Sequence, residues 1–115
     1  MLRFVGGVAA GVVVAGAGLG LASPAFAAVA DGLKVAQVNA CMGCHAVDRK
    51  LVGPSFKDVA AKYKGDAAAQ AKLEKKVRDG GAGVWGAIPM PSHPGMSAAD
   101  IHSVVGWVLA GAPSK

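Results

Sequence analysis

The chain has 115 residues, a formal net charge of +5 and only two cysteines. This length limits the chain to one small domain, and two cysteines cannot form a disulfide framework. Eleven of the twelve basic residues and all seven acidic residues lie in residues 28–115, where the two signs are interspersed. Because no long basic run forms, we expect no nucleic-acid binding.

Residues 1–27 have the three parts of a secretory signal peptide. A short positive region at Arg3 is followed by an apolar run to Ala22 and by Ala25-Phe26-Ala27, a small-residue cleavage site. We predict cleavage after the last of these alanines, which leaves residues 28–115 as the mature domain. A retained membrane anchor is the alternative, since about 20 apolar residues span a bilayer. Five glycines interrupt the run, so we expect no stable membrane insertion after cleavage.

Capping residues, glycines and prolines divide the mature domain into four predicted helices. The expected spans run from Asp31 to about Asn39, from Pro54-Ser55 to Lys64-Gly65, from Asp66 to Asp79, and from Ser97 to Gly111. No segment alternates with a period of two. Apolar residues instead recur at helical spacing; they include Ala69, Leu73 and Val77 in the third span and Ile101, Val104, Val105 and Val108 in the last. The sequence therefore predicts an all-α fold, with longer loops at residues 46–53 and 80–96.

Cys41-Met42-Gly43-Cys44-His45 has the Cys-x-x-Cys-His spacing of a c-type haem attachment site. Two thiols form thioethers with the haem vinyl groups at such a site, and the histidine binds the iron as the proximal ligand. The single motif, Cys41 to His45, predicts one covalent haem. A thiol oxidoreductase is a competing interpretation, but it requires a strand in a βαβ context, and the alternating pattern is absent.

The glycine- and proline-rich loop 80–96 is expected to provide the sixth iron ligand. A thioether fills the last coordination position and raises the reduction potential, which suits electron transfer. Met42 lies between the two anchoring cysteines and cannot reach the opposite face. Met90 has a proline on each side, which reduces the entropy lost when its side chain is fixed. Met90 is favoured over Met96, which precedes the last helix cap, where an apolar residue often packs as a hydrophobic staple.

Four segments resemble the small bacterial class I cytochromes c of the five-fifty-one type. They are Cys41–His45, Val52–Tyr63, Gly83–Pro91 and Trp107–Leu109, and the likeness covers nearly all of the mature domain. The resemblance implies the class I cytochrome c fold, with four to five short helices around one covalently bound haem c. It also implies a periplasmic electron carrier, expected to be a monomer and not an enzyme.

The resemblance assigns roles to single residues. It makes Met90 the axial ligand opposite His45. It gives the Pro54 carbonyl a hydrogen bond from the His45 ring, which fixes the tautomer. It gives the Trp85 indole a hydrogen bond to a haem propionate.

Two positions depart from the family's pattern. Where the family often has an asparagine that donates to the ligand sulfur, this chain has Ser92-His93-Pro94, with one extra residue before Ser97. An arginine near a propionate is replaced by Lys76, which keeps the charge but loses the two-point grip on a carboxylate. We expect His93 to be a solvated loop residue, with tuning of the haem potential as the alternative.

The family's redox partners define the expected role. The acceptor would be a nitrite reductase, a cytochrome c peroxidase or a terminal oxidase, and the donor a quinol-oxidising complex or another cytochrome. An electron-entry subunit or membrane-anchored domain of a larger respiratory complex is the alternative. Basic side chains near the haem edge would steer an acidic partner; the candidates are Arg49, Lys50, Lys57, Lys62 and Lys64.

Overall fold

The computed structural model describes residues 24–114 and four isolated glycines, Gly7, Gly11, Gly16 and Gly18. Within these residues there are four α-helices, one short 3-10 helix and no strand. The α-helices are α1 Pro24–Val38, α2 Phe56–Lys62, α3 Ala69–Asp79 and α4 Ala98–Leu109, and the 3-10 helix is Cys41–Gly43. The prediction of an all-α fold is confirmed.

Helix α1 begins earlier than the sequence predicts. It starts at Pro24, and Asp31, the expected N-cap, lies inside it. Proline suits the first position of a helix because its φ is fixed near the helical value and its missing N–H has no partner there. The alanine-rich residues that follow favour helix. The predicted cleavage point after Ala27 falls within α1 and stays a prediction, and most of the predicted leader lies outside the described residues.

Helices α2 and α4 begin at the serine caps that the sequence predicts. The Ser55 hydroxyl accepts a hydrogen bond from the Asp58 N–H at 3.0 Å, and the Ser97 hydroxyl accepts one from the Asp100 N–H at 3.1 Å. Each bond satisfies one of the backbone donors that a helix N-terminus leaves without a partner. Local sequence therefore fixes where these two helices start.

Asp66 is the predicted cap of α3 and Ala67 its predicted first helical residue, but the helix begins two residues later than that. The Asp66 carboxylate accepts a hydrogen bond from the Ala68 N–H at 2.8 Å and closes a turn before the helix, so Ala69 is the first helical residue. The predicted apolar face is present, because Ala69 is buried and Leu73 and Val77 pack against the core.

The core lies where α4 packs against the other three helices. The predicted apolar stripe of α4 is buried in full; it consists of Ile101, Val104, Val105 and Val108. Trp107 is completely buried, and its indole N–H donates to the Pro113 carbonyl at 2.9 Å. Among the described helices, none is long and apolar enough to cross a membrane.

Candidate functional site

An apolar cavity of about 400 Å³ separates the Cys41–His45 segment from the glycine-rich loop after α3. Its floor includes Val104, Val105 and Val108 of α4, so the core and the cavity share a wall. Several large apolar side chains line the cavity and are also exposed to solvent; they are Leu51, Val52, Val84, Trp85 and Ile88. The site is therefore open at one side, where apolar surface meets water.

The Cys-x-x-Cys-His motif forms one wall of this cavity. The chain leaves α1 through Ala40, whose φ of 59° is left-handed, and enters the 3-10 helix at Cys41. The Cys41 carbonyl accepts hydrogen bonds from the Cys44 N–H at 3.2 Å and from the His45 N–H at 3.0 Å. This tight turn brings both cysteines and His45 to the cavity lining.

The His45 ring is confined on three sides. Its Nδ1–H donates to the Pro54 carbonyl at 2.8 Å, the bond that the family resemblance implied. The Phe56 ring stacks on it with 5.0 Å between centroids. Gly53 lies directly against the ring, since a Cβ at this position would be 2.8 Å from Nδ1 and 3.0 Å from Nε2. With the Nδ1 proton engaged, Nε2 is the ring nitrogen with a lone pair for a metal.

Met90 reaches the cavity from a different part of the chain. Its N–H donates to the Gly81 carbonyl at 2.9 Å, and its carbonyl accepts from the Gly81 N–H at 3.0 Å. Gly80 has a φ of 73°, and a Cβ there would lie 2.5 Å from the Met90 carbonyl oxygen. Only glycine permits this approach of two backbones. Met90 lines the cavity, whereas Met96 packs against the core, as predicted, and is not part of the lining.

Trp85 stands at the mouth of the cavity, with 42% of its surface exposed. The Lys62 ammonium lies 5.4 Å from the centroid of the indole, a cation–π arrangement that the sequence did not indicate. Lys50 and Lys76 line the same cavity. Three other basic candidates are not part of the lining; they are Arg49, Lys57 and Lys64.

His93 is not the solvated residue that the sequence predicts. It is half-buried and lies outside the cavity lining, and its ring Nδ1–H donates to the Val77 carbonyl at 3.2 Å. No local pattern pairs residues 77 and 93, so sequence reasoning missed this contact.

The electrostatics of Cys41 do not favour thiol redox chemistry. Burial raises the pKa of the Cys41 thiol, whereas reactive cysteines have a lowered pKa that stabilises the thiolate. The helical fold of the described residues also lacks the strand that should precede a redox Cys pair. Two thiols, an imidazole and a thioether around an apolar cavity instead fit a haem that is attached through the cysteines.

Comparison with known proteins identifies the class. Residues 29–111 match the family described as cytochrome c. Cytochrome c-551 of Allochromatium vinosum is 54% identical over 82 residues, which cover 71% of this chain and 86% of that protein. Cytochrome c-551 of Pseudomonas aeruginosa is 47% identical over 70 residues, which cover 61% of this chain and 66% of that protein.

Solved structures agree with the sequence comparisons. The crystal structure of Nitrosomonas europaea cytochrome c552 superposes with a TM-score of 0.66 at 42% identity, and the match covers 68% of this chain and 96% of that one. A class 1 cytochrome from Sideroxydans lithotrophicus gives a TM-score of 0.63 at 36% identity, over 71% of this chain and 95% of that one. The fold and site thus define a small class I electron-transfer cytochrome. The chain belongs to the cytochrome c family, with one covalently bound c-type haem.

Proposed function

We propose that this protein is a periplasmic single-electron carrier in which His45 and Met90 are the two axial ligands of the haem iron. The observation that carries the proposal is that one apolar cavity is lined by the two cysteines, by His45 and by Met90, while Met96 is excluded from it. Met42 also lies outside the lining. Met90 is therefore the one methionine among the described residues that lines the cavity, which supports its assignment as an iron ligand.

The chain's own residues would determine what the site can do. When bound, a c-type haem supplies a one-electron couple between ferrous and ferric iron. Cys41 and Cys44 would hold it covalently, and the hydrogen bond to Pro54 would keep the His45 imidazole in one tautomer and one orientation. The Met90 thioether would close the sixth position to small molecules. This arrangement favours electron transfer over ligand binding or peroxidase chemistry.

Partner recognition would take place at the mouth of the cavity. Exposed apolar side chains, among them Val52 and Ile88, surround the opening, and Lys50, Lys62 and Lys76 bring positive charge to it. Such a surface suits brief contact with a redox protein whose own patch has an acidic rim. The acceptor would be a nitrite reductase, a cytochrome c peroxidase or a terminal oxidase, and the donor a quinol-oxidising complex or another cytochrome.

The test of the ligand assignment is a pair of methionine variants. Met90→Ala should abolish the far-red sulfur-to-iron absorption band of the oxidised protein and lower its reduction potential, because the thioether ligand is lost. Met96→Ala should keep the band and lose only packing against the core. If Met96→Ala removes the band and Met90→Ala keeps it, the assignment is wrong.

Mass spectrometry of protein isolated from the periplasm tests attachment and processing together. The expected mass is that of residues 28–115 carrying one haem. A chain with two free thiols at Cys41 and Cys44 would contradict covalent attachment. A mass that includes residues before Ala28 would instead support the membrane-anchored alternative.

A further inference from the structure

The segment that follows Met90 is bound to the end of helix α3 by His93. The backbone N–H of His93 donates to the carbonyls of Val77 and Arg78, at 3.1 and 3.2 Å. Its ring Nδ1–H donates to the Val77 carbonyl at 3.2 Å. One residue therefore satisfies two of the carbonyls that the C-terminus of α3 leaves without intrahelical partners.

This contact is the second of two attachments around Met90. The first is the pair of backbone hydrogen bonds between Met90 and Gly81, at 2.9 and 3.0 Å. Gly81 is two residues beyond the last residue of α3, and His93 is three residues beyond Met90. Residues 90–93 are thus tied at both ends to the same helix terminus.

We propose that His93 is a positioning residue that holds the Met90 segment on the C-terminal turn of α3, so that the Met90 thioether stays directed into the cavity. The inference rests on the proposed role of Met90 as an iron ligand. His93 acts through the backbone, since its ring contacts the Val77 carbonyl and is not part of the cavity lining.

The helix terminus favours this contact electrostatically. The C-terminal end of a helix carries partial negative charge on its free carbonyls, and a ring N–H is a suitable donor to it. Val77 is also one of the residues that line the cavity. The residue whose carbonyl holds His93 therefore lines the same cavity as Met90.

A set of three variants tests the proposal in the haem-loaded protein. His93→Ala removes the ring donor, and His93→Asn restores an N–H donor close to the position of Nδ1. His102→Ala is the matched control, because His102 is an exposed histidine on α4. The measurement is the rate at which added imidazole binds to the oxidised protein, which requires Met90 to leave the iron. Urea unfolding of each variant shows whether a change in this rate merely reflects a change in global stability.

We expect imidazole to bind to His93→Ala about fivefold faster than to the unmodified protein, the factor that corresponds to one hydrogen bond of ordinary net strength. His93→Asn should restore the slower rate, and His102→Ala should not change it. Equal rates in His93→Ala and the unmodified protein would overturn the proposal, as would a His93→Asn rate as fast as that of His93→Ala.

A second measurement does not depend on the variants. Hydrogen exchange of the unmodified protein should show protection of the backbone N–H groups of Met90 and His93, and rapid exchange of the His93 N–H would contradict the proposal. A wrong ligand assignment gives a different result from a wrong role for His93, because Met90→Ala would then keep the far-red band. If that band is lost in Met90→Ala while His93→Ala behaves like the unmodified protein, only the role of His93 is refuted.

Discussion

Replacing Gly53 by alanine tests how firmly the chain fixes His45. A Cβ at position 53 would lie 2.8 Å from the ring Nδ1 and 3.0 Å from Nε2, well inside the 3.4–4 Å of ordinary contact. The backbone of Gly53 cannot easily withdraw, because its N–H donates to the Cys44 carbonyl at 2.7 Å and its carbonyl accepts from the Leu51 N–H at 3.1 Å. The ring must therefore move, and with it the hydrogen bond to Pro54.

The expected cost has two parts. Forcing an extra methyl group into a packed site costs about 1–3 kcal/mol, and losing the hydrogen bond between His45 and Pro54 costs about 0.5–1.5 kcal/mol. Gly53→Ala should therefore lower the free energy of unfolding by about 1.5–4.5 kcal/mol. Because the carbonyl of Pro54 also sets the basicity of the imidazole, the reduction potential should change as well.

Guanidinium unfolding of the oxidised, haem-loaded protein measures the first effect, and voltammetry measures the second. Gly43→Ala is the matched control, since it lies in the same motif and a Cβ there meets no atom within 4 Å. The control should stay within about 0.5 kcal/mol of the unmodified protein. If Gly53→Ala matches Gly43→Ala in both stability and potential, the His45 ring is not confined as described.

Three further substitutions probe the scaffold. Gly32→Ala should lower the free energy of unfolding by at least about 2 kcal/mol, because a Cβ would press on Trp107 where α1 crosses α4. Gly106→Ala, where a Cβ would have its nearest neighbouring atom 3.9 Å away, should be neutral or stabilise the protein by about 0.5–1 kcal/mol. Thermal unfolding compares the two variants. Lys72, through a hydrogen bond to the Asp66 carboxyl, lowers the pKa of that group. The ionised Asp66 carboxylate therefore stabilises the folded protein above the ordinary aspartate pKa of about 3.9, and this contribution is lost as the pH falls through the pKa of Asp66 in the folded protein. Asp66→Asn should be slightly less stable than the unmodified protein at neutral pH, and the two urea midpoints should converge in acid.

The features that the sequence predicted depend on short-range signals. The Cys41–His45 spacing is a property of five consecutive residues. Ser55 and Ser97 cap the helices that follow them by bonds to a residue three positions later. The apolar stripe of α4 repeats every three or four residues, and the structure buries it. The fold keeps these local features because few contacts from outside each segment oppose them.

The features that the sequence missed depend on contacts between distant segments. The sequence predicts a start of α1 at Asp31 because aspartate is a common cap, but the preceding residues are also good helix formers, and the helix begins at Pro24. The hydrogen bond from His93 to Val77 spans sixteen positions, and the contact of Lys62 with Trp85 joins α2 to a loop. Propensity and periodicity carry no information on such pairs.

The two candidate ligands are supported by different helices, and this explains why the site needs the whole fold. His45 is held at the start of α2, through Pro54 and the stacked ring of Phe56. Met90 is held at the end of α3, through the backbone of Gly81. Both helices pack on α4, and α4 also forms part of the cavity wall. A site supported by helix ends keeps its geometry better than one built on loops alone. For a haem held by His45 and Met90, as proposed, a fixed distance between these two residues is the property that an electron carrier would require of its scaffold.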